Sequence, residues 1–155
     1  MVSGMTPLIK VGPYGESSLT DTSTWDERGH TKITVIYISY SDNYGPGVSL
    51  QFEYDEGGNT VLSQSYGHHN RPKFSVVTLD TGEYITGISG FYWSSDISCL
   101  TFETNRRKYG PFGKSTEKEF GFNFGPTNRF GGFHGTLSSL DRLNSIGVYV
   151  KPLSS

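Results

Sequence analysis

The string Gly113-Lys114-Ser115-Thr116 imitates the end of a phosphate-binding loop. That loop also needs a glycine five positions before Gly113, where Lys108 stands, and a helix behind it, where 119–124 alternates as a strand. Nucleotide chemistry is therefore not expected. His68 and His69 are adjacent, so in an extended chain their rings point to opposite faces, and a surface turn explains them better than a metal site. Asp26-Glu27 and Asp55-Glu56 are carboxylate pairs that read as solvated turns, and no Gly-X-Ser-X-Gly elbow is present. No residues form a catalytic constellation, no metal or other cofactor is implied, and the chain is expected not to be an enzyme.

What remains is a set of polar and aromatic groups on three segments. The first, 12–17, contains Gly15. The second, 91–96, contains Tyr92 and Trp93. The third, 136–144, contains Asp141, Arg142 and Asn144. Together they hold the ingredients a neutral sugar requires. Asp141 or Asn144 can accept from hydroxyls, loop amides near Gly15 and Leu140 can donate, and Tyr92 or Trp93 offers a face to the C–H side of a pyranose. Arg142 can donate to a polar or anionic ligand. Tyr92 and Trp93 have an equally good structural explanation as a lid over one end of a core.

The elements that must position these loops are strands. Val48, Leu50, Phe52 and Tyr54 alternate with polar residues, which is the period of a strand with one buried face. Short strands are expected at 8–11, 17–24 (weakly), 31–40, 48–54, 61–66, 73–78, 84–92, 97–104, 108–112, 119–124, 129–136 and 145–151, with a hairpin turn at 55–59. Nothing sustains a helical period or resembles a linker. A phrase recurs among them: Gly12-Pro13-Tyr14-Gly15 returns as Gly110-Pro111-Phe112-Gly113, with a degraded copy at Tyr66-Gly67-His68-His69 that lacks the proline and, in that alignment, the ring. Three loose copies point to three similar β units packed together.

Composition narrows the classes further. The 155 residues hold 20 Gly, 10 Tyr and 10 Phe, which favours strands and turns and suits one domain. A net charge of −2 argues against nucleic-acid binding through a basic face and against a polybasic membrane anchor. Cys99 is alone in an apolar strand pattern and reads as a core residue. There is no long apolar segment, no signal-peptide pattern and no Asn-X-Ser/Thr site, so a cytoplasmic or nucleocytoplasmic protein is expected. Both ends, 1–5 and 153–155, read as loosely held.

The stretch Leu8-Ile9-Lys10-Val11-Gly12-Pro13-Tyr14-Gly15 resembles the opening of jacalin-related plant lectins. So do Ile85-Thr86-Gly87-Ile88-Ser89-Gly90, Gly131-Gly132-Phe133-His134-Gly135, and Ser145-Ile146-Gly147-Val148-Tyr149-Val150-Lys151-Pro152. The resemblance covers 6–153 as a single jacalin-type lectin domain. It implies an all-β fold, a β-prism of three four-stranded antiparallel sheets with pseudo-threefold symmetry. It also implies one sugar site at one end of the prism, built from the three segments above, and the mannose-preferring, cytoplasmic branch of the family.

The resemblance also marks departures. Glu16 follows Gly15 where relatives carry a second glycine. The Gly-X-X-X-Asp clamp before the last strand is Leu140-Asp141-Arg142-Leu143-Asn144, on a loop about two residues longer than is usual in the family. Replacing the clamping carboxylate by an amide removes a charge-assisted bond of roughly 1–2 kcal/mol, against about 4 kcal/mol for an entire millimolar site. The Gly-Gly-Phe-His-Gly-Thr and Lys-Tyr-Gly-Pro-Phe-Gly stretches are similar to single-domain members that restrict plant RNA viruses. Two readings follow: a mannose-type defence lectin with weak or altered sugar binding, or a module binding a viral or host protein or ribonucleoprotein with a vestigial sugar site. Homodimers through outer strands occur in the family. The row Phe120, Phe122, Phe124 raises that option here, although an inward-facing row is the favoured reading.

Overall fold

A computed structural model describes residues 8–16, 21–29, 32–43, 47–67, 72–125 and 128–152. Strands β1 (Ile9–Gly15), β2 (Thr22–Arg28), β11 (Asn128–Ser138) and β12 (Leu143–Pro152) form a sheet in the order β1-β12-β11-β2. Strands β3 (Ile33–Tyr40), β4 (Ser49–Glu56), β5 (Asn59–Tyr66) and β6 (Lys73–Thr78) pair as β5-β4-β3-β6, and β7 (Ile85–Trp93), β8 (Asp96–Thr104), β9 (Lys108–Gly113) and β10 (Lys118–Asn123) as β10-β7-β8-β9. Every pairing is antiparallel. The expected β-prism, three four-stranded antiparallel sheets, is the fold.

Alternation explains the faces. In β4, Leu50, Phe52 and Tyr54 are buried and the residues between them are partly exposed. The three inward faces meet at Phe133 of β11, whose ring stacks on Phe52 of β4 at 4.5 Å and meets Phe102 of β8 edge-on at 6.2 Å. All three are fully buried. One aromatic cluster thus joins three sheets that share no hydrogen-bonded ladder.

The recurring phrase closes the seams between sheets. The ring preceding each final glycine reaches the neighbouring sheet: Tyr14 lies on Phe120 and Phe122, Phe112 against Tyr40, and Tyr66 on Trp25 at 4.2 Å. The middle copy has therefore kept its ring, as Tyr66, and the alignment read from the sequence is two positions out of register. The glycine matters because the strand beside it comes very close. A Cβ on Gly15 would sit 2.3 Å from the Asn144 carbonyl oxygen, and one on Gly113 2.1 Å from that of Ser98.

The turn expected at 55–59 is present, with Gly57 and Gly58 at φ +61° and +87° and the Gly58 amide donating to Asp55. The Phe120 row packs against the core. Cys99 is buried, and burial pushes its thiol up to about 11, so it is a core residue with little thiolate at neutral pH. The strand expected at 17–24 differs. The strand found is β2, at Thr22–Arg28, and 17–20 lie outside the described residues. Asp26-Glu27 reads as a turn, but an edge strand tolerates charge on its outer face while Trp25 faces the core, 5% exposed. His30, His68, His69 and the chain ends 1–5 and 153–155 also lie outside the described residues.

Asp26 is integrated rather than merely solvated. Arg28 Nη2 donates to it at 3.0 Å and the Tyr149 hydroxyl at 2.5 Å. Burial disfavours its charge, but the bonds from Arg28 and Tyr149 prevail and hold its carboxyl at about 2, against 3.8 ordinarily. A carboxyl depressed in the folded state stabilises it above the unfolded value, and that contribution is lost as pH falls through the folded one. Asp26→Asn is therefore expected to flatten the acid limb of a urea-denaturation pH profile between 3.8 and about 2, leaving the limb above it unchanged in shape. Removing the shared ring with Phe133→Ala is expected to cost about 3–5 kcal/mol in the same assay, with Phe133→Leu costing less.

Candidate carbohydrate site at the prism tip

Three connections converge at one end of the strands. The β7–β8 turn reverses at Ser94 and Ser95, with Ser94 at φ +57°. The β11–β12 turn reverses through 139–142, where the Arg142 carbonyl accepts from Ser138 and the Asp141 amide donates back to the Ser138 carbonyl. Gly15 and Glu16 close β1 beside Ser145. Side chains fasten these segments to one another. Asn144 Nδ2 donates to the Ser95 carbonyl at 3.1 Å, and Arg142 Nη1 donates to Asp96 Oδ2 at 3.2 Å. Lys118 Nζ lies 3.8 Å from Glu16 Oε2.

Gly15 and Asn144 share a recess of about 120 Å³ with Glu16, Thr22 and Thr136. Asn144 is only 2% exposed. Its Oδ1 accepts from the Thr136 hydroxyl at 2.6 Å while its Nδ2 holds Ser95. The amide is thus a strut between two turns, and both ends of it have internal partners. Asp141 stands on the turn at φ +58°, exposed, and its carboxylate has no hydrogen bond or ion pair among the described residues. Arg142 is committed to Asp96, whose side chain is 6% exposed.

The aromatic pair divides. Tyr92 is partly buried, packed beside Phe120 with Lys118 Nζ 5.6 Å over its ring. Trp93 is 50% exposed and borders an open recess of about 610 Å³ with Lys114, Ser115, Thr116 and Glu117. That wall is the stretch that imitates a phosphate loop. It runs as an irregular link from β9 to β10, pinned by the Thr116 hydroxyl donating to the Tyr92 carbonyl at 2.8 Å. Reasoning from the sequence passed over 114–117 as a ligand wall, as it did Ser95 and Thr136. The repeat carries the missing signal, since the residues after Gly113 occupy the place in their sheet that those after Gly15 occupy in theirs.

A recess of about 560 Å³ lies at the opposite end of the strands, closed by Ile33, Ile85 and Phe130. Its carboxylates are spent on the fold: Glu83 accepts from Thr104, Tyr109 and the Asp80 amide, and Asp80 pairs with Arg107. Among the described residues no group of three or more His, Cys, Asp or Glu side chains could hold a metal, and no helix is long and apolar enough to cross a membrane.

Comparison with known proteins settles the family. Residues 11–149 match the model of the jacalin-like lectin domain. The chain belongs to the jacalin-like lectin family. It is 35% identical over 156 residues to Jacalin-related lectin 24 of Arabidopsis thaliana, covering 94% of this chain and 68% of that one. It is 37% identical over 155 residues to the Arabidopsis thaliana protein named RESTRICTED TEV MOVEMENT 1, covering 93% and 87%. Among solved structures, a mannose-binding jacalin-related lectin from Ananas comosus superposes with a TM-score of 0.75 at 29% identity, covering 94% of this chain and 99% of that one. Membership in this family makes the chain a lectin-type binding domain and not an enzyme.

For this jacalin-like domain the strut has a measurable consequence. Asn144→Asp sets a carboxylate where Nδ2 now donates to the Ser95 carbonyl. It is expected to lower stability by about 1–3 kcal/mol at neutral pH. The loss should shrink in acid, where the protonated carboxyl can donate to Ser95, and urea denaturation at the two pH values checks this.

Proposed function

We propose that the chain is a plant-defence lectin, a single domain over 6–153, that takes a mannose-type glycan weakly at the prism tip. The observation that carries the reading is the inward turn of Asn144. In place of the clamping carboxylate implied by the resemblance stands an amide already bonded to Ser95 and Thr136. The glycan is then held by what stays outward. The Trp93 ring stacks on a pyranose face, the Asp141 carboxylate accepts from hydroxyls, and the Gly15 backbone and the Arg142 Nη2 group donate, the Arg142 Nε being buried. Tyr92, Lys118 and Asn144 support the rim from beneath. Such a site has one outward carboxylate and one stacking ring, which suits affinity near millimolar, about 4 kcal/mol.

Its defence role is proposed to include resistance to RNA viruses and to be cytoplasmic, on likeness to the relative named RESTRICTED TEV MOVEMENT 1. A second reading, a protein- or ribonucleoprotein-interaction module with a vestigial sugar site, is favoured by the same sequestered amide, since a tip that withholds its polar groups from a sugar still presents Trp93.

A glycan array followed by calorimetric titration with mannosides tests the first reading. The expected outcome is weak mannoside binding that falls at least about tenfold in Trp93→Ala and in Asp141→Ala, each removing about 1.4 kcal/mol or more. No binding to any glycan sinks this reading. A pull-down from infected tissue that survives excess mannose then supports the second.

A further inference from the structure

The recess of about 560 Å³ at the end of the prism opposite the tip has the size of a small-molecule site. Its floor is apolar. Ile33, Ile85 and Phe130, one from each sheet, meet there with Leu79 beside them. Tyr84 forms a wall. It is 38% exposed, and neither its ring nor its hydroxyl has a partner among the described residues. The charges around the recess do not balance. Lys32 Nζ lies 3.2 Å from Asp55, Arg107 and Arg106 lie 3.1 and 3.7 Å from Asp80, and Arg107 lies 3.5 Å from Glu83. Every carboxylate lining the recess is thus matched by a cation. Arg129, at the mouth, is exposed and has no ion pair among the described residues. It stands directly opposite Lys151 in the β11–β12 register, and Lys151 is likewise unpaired among them. Like charges facing each other across an antiparallel ladder destabilise it. An oxyanion at the mouth relieves that repulsion, and a guanidinium takes a carboxylate through two parallel N–H bonds.

The geometry points to a second binding site here, for a small aromatic carboxylate. The ring lies against Tyr84 over the apolar floor, and the carboxylate sits on Arg129 with Lys151 beside it. Neither half suffices alone. The four floor residues are each no more than 8% exposed, so apolar contact is limited and the anion supplies orientation and discrimination. A neutral polyol fits poorly, because the carboxylates that would accept from its hydroxyls are already ion-paired. The site shares no residue with the tip, so it stands or falls apart from the sugar reading.

Titration with 2-naphthoate, followed by ligand fluorescence and by amide NMR shifts, tests the site. The expected outcome is saturable binding of one ligand per chain, with a dissociation constant of about 1 mM or tighter, the range a ligand of this size supports. Shifts should cluster at 32–34, 79–85 and 128–130 and spare the tip turns. Neutral 2-naphthamide and inorganic phosphate, which each keep one half of the ligand, should bind at least about tenfold more weakly. Arg129→Gln should weaken naphthoate at least about tenfold. The urea midpoint of that variant should equal or exceed the wild type's, because the repulsion across the ladder is gone. Tyr84→Ala should also weaken binding, with circular dichroism unchanged, whereas Trp93→Ala at the tip should have no effect. Naphthoate that does not saturate, shifts that fall elsewhere, naphthamide or phosphate that binds as well, or an affinity indifferent to Arg129→Gln overturns the inference.

Discussion

The contact of Phe133 with Phe52 and Phe102 is what lets three separate sheets be one structure. A four-stranded sheet with one apolar face cannot stand in water alone, and here no ladder crosses from one sheet to another. Each sheet therefore depends on the other two for burial of its inner face. The seam rings Tyr14, Phe112 and Tyr66 extend this dependence to the edges. They do so from equivalent places, which is why the same short phrase recurs in the sequence.

That architecture dictates what the tip can offer. Closing three sheets about one axis gathers their connections at each end, so polar turn residues from sequence-distant segments come within hydrogen-bonding distance. A buried amide in such a cluster must find partners within the protein. Asn144 finds them in Ser95 and Thr136, and Arg142 finds one in Asp96. The turns become rigid as a result, and the Asn144 amide is satisfied within the protein. Trp93 and Asp141 stay exposed above these internally bonded neighbours.

Most of the fold was legible because period-two alternation and turn chemistry are local. β4, the Gly57-Gly58 hairpin and the Phe120 row could be read from a few residues each. The repeat added the threefold arrangement. β2 was misplaced because Asp26, Glu27 and Arg28 resemble a turn unless Tyr66 and Tyr149, far away in sequence, are known to receive them. The residues of the candidate site were legible as a set, since they lie on loops. Their orientation was not: whether Asn144 faces outward depends on the Ser95 carbonyl, and whether Tyr92 or Trp93 is open depends on where Lys118 falls. Side-chain direction in a turn is fixed by nonlocal partners, and a single sequence does not record them.

The edges show the same tension between burial and availability. Five edge strands carry proline, a bulge or charge, devices that discourage pairing with another chain. On β6 Phe74 and Val76 lie on the outer face, where they contribute little to the stability of one chain. Outward apolar residues on an unbroken edge lower no energy in the isolated prism beyond the Phe74–Tyr37 stack.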